Sequence, residues 1–211
     1  MKIAVINEIS ACAKNGDILA ALEASVHGAQ ILNAGMSDPA GQPALTYMHT
    51  GLITGVLLGA GWCDFAVGGC GTGQGYINSA MQFPGVFCGL ILDPLDAWLF
   101  SQINGGNCVS LALNKGYGWA GDINLKYIFD KLFCDPSGQG YPAARAGSQA
   151  ESRARLQLFS EKAHRPLAEI LADIPAEIWA PILRHKPFMD IVERNKGSDI
   201  AKLILNIKGC M

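Results

Sequence analysis

Residues 63–78 read CDFAVGGCGTGQGYIN. A short apolar run, Phe65-Ala-Val67, passes into five glycines spaced around Cys70 and Thr72, and helical spacing begins near Gly75. A buried strand that ends in glycines and turns into a helix is the repeating unit of parallel α/β sheets. Further apolar runs at Ile3–Ile6, Ile31-Leu32, Val86–Leu92 and Cys108–Leu113 are each bounded by Gly, Asn, Asp or Pro. Between them lie segments with helical spacing at about 11–28, 47–61, 75–83, 93–104 and 121–133. The strands are apolar throughout and do not alternate in and out, as a parallel sheet covered on both faces requires. The expected fold is therefore α/β, a doubly wound five-stranded parallel sheet in a three-layer sandwich. In such folds ligands collect where strand carboxyl ends turn into helices.

Composition shifts at residues 135–152, DPSGQGYPAARAGSQAES, which read as a loop or arm leaving the sheet. Beyond it, 153–172 and 176–208 read as helical, interrupted at Pro166, Pro175, Pro181 and Pro187. The expected organisation is an α/β domain over 1–134 and an arm with a helical extension over 135–211. The extension would pack on that domain or on a second subunit, because Leu156, Leu158, Phe159, Ile170, Trp179, Phe188, Ile191 and Leu203 need cover.

The 211 residues carry 16 Lys and Arg against 18 Asp and Glu, a net charge of −2. That balance offers no basic face for a polyanion, so nucleic acid is not an expected partner. No apolar run is long enough to span a bilayer, and the first ten residues read as a strand and not a secretory leader, which makes a cytoplasmic location the expectation. Seven scattered cysteines with no C-x-x-C argue against a disulfide framework and a zinc site.

The glycine loop excludes two nucleotide-binding patterns. A dinucleotide fingerprint started at Gly69 or at Gly71 places Gln74 or Tyr76 where its third glycine belongs, and a P-loop needs a lysine that is absent between Lys14 and Lys115. What remains is an anion nest beside a helix N-terminus, where converging N–H groups and the helix dipole favour a thiolate over a thiol. Cys70 could then take a proton while the amides of Gly71 and Gly73 hold the negative oxygen left on the substrate. The plainer alternative is a tight turn whose cysteine fills space.

Cys70-Gly-Thr-Gly-Gln-Gly75, followed at ungapped spacing by Phe83-Pro-Gly85, Asp93-Pro94, Ala97 and Gln102-x-Asn104-x-x-Asn107, resembles the type B ribose-5-phosphate isomerase and galactose-6-phosphate isomerase family over about residues 1–145. The resemblance implies a Rossmann-like sheet, a homodimer with its sites at the subunit boundary, no metal and no nicotinamide or other cofactor. It also implies interconversion of aldose and ketose phosphates through an enediolate. By position, Cys70 matches the base that moves the proton between C1 and C2, and Thr72 the hydroxyl beside it. Gly71, Gly73 and Gly75 match the anion-binding backbone, Asn104 a substrate-binding amide and Tyr47 an aromatic near the sugar. Some members use a glutamate where Gln74 stands; here the base falls on Cys70.

Three positions depart from the family pattern. The ring-opening histidine before Asn104 is Ile103, the Asp-His pair after the first strand is Glu8-Ile9, and an arginine of the fourth strand is Phe87. His49 is a candidate to supply the missing imidazole, with an interface or surface role as its alternative, and Glu8 is a candidate sugar ligand at a strand end. Arg145 and, second to it, Arg153 are the candidate phosphate-binding guanidiniums of the arm, with a solvated surface role the stronger of the two readings of Arg153. Arg184, His185 and Lys186 read as a helix end facing water, and His27 as structural. The expected function is isomerisation of a pentose or hexose phosphate; the altered positions suggest a substrate other than ribose 5-phosphate, either another sugar phosphate or a sugar that arrives already open. The alternative is a sugar-phosphate-binding or regulatory protein that has lost turnover.

Overall fold

A computed structural model describes residues 1–211. Five parallel strands, β1 (Lys2–Asn7), β2 (Gln30–Asn33), β3 (Phe65–Cys70), β4 (Cys88–Ile91) and β5 (Cys108–Ala112), form one sheet in the order β2-β1-β3-β5-β4. Helices α1 (Asn15–Ser25), α4 (Pro94–Leu99) and α5 (Gly121–Leu132) cover one face, where Ile3, Val5, Val67 and Val109 meet Leu22 and Phe129. Helices α2 (Tyr47–Gly59) and α3 (Gln74–Ala80) cover the other, over Ala4, Ile6, Ala66 and Cys108. The doubly wound three-layer architecture expected from the apolar runs is the one observed.

Two local features fix the loop after β3. Gly68 faces the ring of Tyr76, and a Cβ there would fall inside that ring, so the absence of a side chain is what lets α3 sit against the sheet. Gly73 caps α3 with φ +76°, a left-handed conformation that glycine adopts without steric cost, and its carbonyl accepts the Ser110 hydroxyl at 2.6 Å. Tyr76 is fully buried and its hydroxyl lies 2.6 Å from Thr54 Oγ1 on α2, tying the two helices together beneath the loop.

The remaining elements are α6 (Ala146–Ala163), α7 (Leu167–Asp173), α8 (Ala176–Arg184), α9 (Lys186–Arg194) and α10 (Asp199–Gly209). Pro166 and Pro175 stand at the N-caps of α7 and α8, and Pro187 in the first turn of α9, where a missing N–H costs nothing; each proline starts a helix. Leu171, Trp179, Phe188, Ile191 and Ile204 join the core that α2 presents, so this part of the extension packs on its own domain. The reading of 135–152 as loop is corrected at its end: α6 begins at Ala146, because the Ala-, Gln- and Glu-containing stretch after Arg145 has good helix propensity despite its glycine. The helical reading of 93–104 is also modified. Here α4 ends at Leu99 and a single wide π-type turn carries Phe100–Asn104 to Gly105 at φ +57°.

Candidate active site

The carboxyl ends of β1, β3 and β5 meet above the middle of the sheet, where the loops after β1 and β5 lead to helices on one face and the loop after β3 leads to the other. This is the crevice at a change of winding direction where α/β folds place ligands. Cys70 ends β3, buried, with Sγ 3.9 Å from Thr72 Oγ1. Thr72 is exposed, and its hydroxyl accepts the Gln74 N–H at 3.3 Å, so it closes the first turn of α3 while facing the crevice. Tyr47, the first residue of α2, lays its ring over Gly75, where a Cβ would come within 2.9 Å of the ring carbons. Cys70, Thr72, Gly71, Gly73, Gly75 and Tyr47 are thus brought together as the sequence suggested.

Glu8 belongs to the same crevice. It follows β1 and is only 5% exposed, and its Oε1 accepts a hydrogen bond from the Ser10 hydroxyl. Ser10 Oγ in turn accepts the Gly71 N–H at 3.2 Å, and Asn114 Nδ2 donates to the Ser10 carbonyl at 2.9 Å. Ser10 and Asn114 were missed from the sequence; a Ser two residues past a carboxylate at a strand end was the only available signal. Asn7 lies directly below, fully buried, in register with Gly69, with no hydrogen-bond partner for its side-chain amide. No three His, Cys, Asp or Glu side chains gather to hold a metal ion.

His49 sits in the first turn of α2, buried, with Nδ1 accepting the Thr46 N–H at 2.9 Å. That bond satisfies a donor at the start of α2 and leaves Nε2 to carry the ring proton. Burial holds the His49 imidazole below its ordinary value. His185, expected to face water, is instead buried: its Nε2 donates to the Gly35 carbonyl at 3.2 Å, and desolvation lowers it as well. A histidine lowered in the folded state takes a proton more readily when unfolded, so its contribution to stability is present above about pH 6.5 and is lost as pH falls below it. The melting temperature is therefore expected to fall on acidification from pH 7 to 5, and the slope to flatten in His49→Asn; an unchanged slope in thermal melts of that variant would contradict this assignment.

Asn104 and Arg145 are not in this crevice. Asn104 precedes the amino end of β5, whereas Cys70 pairs with Ala112 at its carboxyl end, so the length of the strand, about 13 Å at 3.3 Å per residue, separates them. Both line a separate cavity of about 410 Å³ together with Phe87, Cys88, Ile103 and Leu156. Arg153 borders it too, but its guanidinium is engaged with backbone: Nη1 donates to the Ile103 carbonyl at 2.8 Å and Nη2 to that of Gly138 at 2.6 Å. The solvated reading of Arg153 is thus replaced by an anchor for the arm. Beside the cavity, α6 exposes Leu156, Leu158 and Phe159, the last at 69%.

Other thiols are poorly suited to act as bases. Burial pushes Cys63 up to about 12 and raises Cys12, and a hydrogen bond with Cys108 together with burial raises Cys88.

Residues 3–131 match the family model described as Ribose/Galactose Isomerase. The chain belongs to the ribose/galactose isomerase family. Among solved structures, it is 38% identical to a ribose-5-phosphate isomerase from Vibrio parahaemolyticus, covering 98% of this chain and 99% of that one with a TM-score of 0.91. It is 37% identical to a 4-deoxy-L-threo-5-hexosulose-uronate ketol-isomerase solved with a tartrate, covering 99% and 100% with a TM-score of 0.94. The type B ribose 5-phosphate isomerase of Leishmania infantum, at 18% identity and a TM-score of 0.63 over 77% of this chain and 98% of that one, shares the fold. No protein in the curated set matches. As a member of the ribose/galactose isomerase family the protein is a sugar isomerase, and none of its helices is long and apolar enough to cross a membrane.

Proposed function

We propose that the protein interconverts the aldose and ketose forms of an open-chain anionic sugar, with Cys70 carrying a proton between C1 and C2 through an enediolate. The observation that carries this reading is the placement of Cys70 Sγ beside Thr72 Oγ1 at the mouth of a glycine turn. In the proposed cycle the thiolate removes the C2 proton and the electrons pass to the C1 oxygen. The amides of residues 71–75 stabilise that oxygen, and the thiol returns its proton to C1.

The two similar solved structures differ in substrate, and Ile103 favours one of them. Isoleucine cannot transfer the proton that opens a sugar ring. By its name, a 4-deoxy-5-hexosulose uronate has a ketone at C5 and no hydroxyl at C4, so neither oxygen that closes a six- or five-membered ring on C1 is available. A uronate of this kind needs no ring opening. Its single carboxylate also suits Arg145, whose paired donors match two oxygens, better than it suits a phosphate site in which Arg153 is engaged elsewhere.

The anion needs a second subunit. Neither Lys nor Arg occurs from residue 15 through 114, so the loops around Cys70, apart from Lys115, bring no cation. In the proposed homodimer, Asn104 and Arg145 of one copy face Cys70 of the other, and the exposed apolar residues of α6 cover the contact.

The test is incubation in heavy water with this uronate, ribose 5-phosphate and galactose 6-phosphate, following deuterium at C2 and product by NMR. Exchange and conversion of the uronate alone are expected. Conversion of a sugar phosphate instead would restore the phosphate reading, and binding without exchange on any sugar would make the protein a binder that has lost turnover.

A further inference from the structure

Moving the carbon-bound proton is half of an aldose–ketose isomerisation. The hydroxyl proton on O2 must also reach O1, and of the residues that follow β1, Ile9 can carry no proton whereas Glu8 and Ser10 can. We infer that Glu8 and Ser10 form the relay that carries this oxygen-bound proton, with Ser10 the group that touches the substrate oxygen. This deepens the isomerase reading above and rests on it.

The geometry favours this pair over the other polar groups of the crevice. Glu8 is nearly enclosed, yet its Oε1 reaches the exposed Ser10 hydroxyl, so a carboxylate beneath the surface is extended into the crevice by one O–H. Ser10 Oγ also accepts the Gly71 N–H, one of the donors that the substrate oxyanion would use. A sugar oxygen that takes over this N–H is placed within reach of the hydroxyl it displaces. The Asn114 amide holds the Ser10 backbone from the loop after β5, so the loops after three strands fix the position of the hydroxyl. Thr72, by contrast, has no carboxylate partner, its hydroxyl meeting only the Gln74 N–H and Cys70 Sγ, and His49 has Nδ1 committed to the start of α2.

The protons balance as follows. Cys70 thiolate takes H from C2 and the electron pair of that bond forms the C1–C2 double bond, leaving the negative charge on O1. Ser10 takes the proton from O2 as it passes its own hydroxyl proton to Glu8, and then gives its hydroxyl proton to O1 as the Glu8 carboxyl restores it. The charge now rests on O2, the C2=O bond forms as C1 takes the proton from the Cys70 thiol, and thiolate, hydroxyl and carboxylate are regenerated. No oxidant or metal enters.

The relay separates two rates that a purely structural Ser10 would move together. In heavy water, with whichever of 4-deoxy-L-threo-5-hexosulose uronate and ribose 5-phosphate the wild type converts as the probe, Ser10→Ala is expected to lower net conversion by roughly 100-fold, the scale of a lost proton-transfer group. Exchange at C2 of the unconverted sugar, which needs only Cys70, is expected to stay within about 3-fold of wild type, so the exchange-to-conversion ratio rises by roughly 30-fold. Ser10→Thr, which keeps a hydroxyl, is expected to recover conversion to within about 10-fold. Conversion at the wild-type rate in Ser10→Ala, or a parallel fall of exchange and conversion in both variants, would overturn the relay. Absence of exchange in the wild type with either sugar would instead overturn the isomerase reading and the relay with it, whereas exchange that survives in Cys70→Ala would overturn only the choice of base.

Discussion

Cys70→Ala is expected to lose C2 exchange altogether and to lower turnover by about 10³-fold or more, the contribution of a positioned proton carrier that is also the intermediate's partner. The fold should survive the change. Cys70 is buried at the edge of the core, and removing one sulfur from such a position costs about 1 kcal/mol, which moves the melting temperature of a chain this size by roughly 2–4 °C. Cys70→Ser sharpens the test, because it keeps the volume and polarity of the position while supplying a hydroxyl too weakly acidic to be ionised near neutral pH. Its exchange rate is expected to be as low as that of the alanine variant. NMR in heavy water measures exchange and circular dichroism the melt; retained exchange in either folded variant would remove Cys70 from the chemistry. Burial raises the Cys63 thiol, and a hydrogen bond with Cys108 together with burial raises that of Cys88, which lies at the amino end of β4 and lines the other cavity.

The sheet and its crevice were legible because each depends on short-range pattern. Phe65–Val67 followed by glycines can form little but a buried strand running into a turn, and the positive φ of Gly73 and the Gly68–Tyr76 contact are the physical form of that pattern. Cys70, Thr72, Tyr47 and Glu8 all follow strand ends or start helices, so placing the elements placed them. What could not be read is what depends on side-chain direction or on distance through space. Ser10 becomes part of the site only through its hydrogen bond to Glu8 and the N–H it accepts from Gly71, sixty-one residues away in sequence. Arg153 and His185 looked solvated because their partners are backbone carbonyls, of Ile103, Gly138 and Gly35, and a carbonyl leaves no trace in composition. The start of α6 was missed because its Pro- and Gly-rich approach, 135–142, obscures an ordinary helical stretch.

Asn104 and Arg145 raise the sharpest structural demand, since the proposed substrate would have to touch groups that one chain holds at opposite ends of β5. The proposed dimer resolves this and makes a result that a monomer cannot give. Cys70→Ala alone and the double variant Asn104→Ala/Arg145→Ala alone are each expected to be close to inactive. When the two are co-refolded in equal amounts, half of the dimers are mixed. Each mixed dimer joins the intact Cys70 of one chain to the intact Asn104 and Arg145 of the other at one of its two sites, and pairs both defects at the second. Activity is therefore expected to rise from near background to about a quarter of wild type, the product of those two halves. Leu158→Glu or Phe159→Glu in one partner places a charge on the apolar face of α6 and is expected to abolish the recovery while leaving the melting temperature of the isolated chain nearly unchanged, because both residues are exposed in it. Native mass spectrometry counts the mixed dimers in the same samples. Mixed dimers without recovered activity would mean that each site is built from one chain, and the 410 Å³ cavity beside α6 would then have no part in holding the sugar.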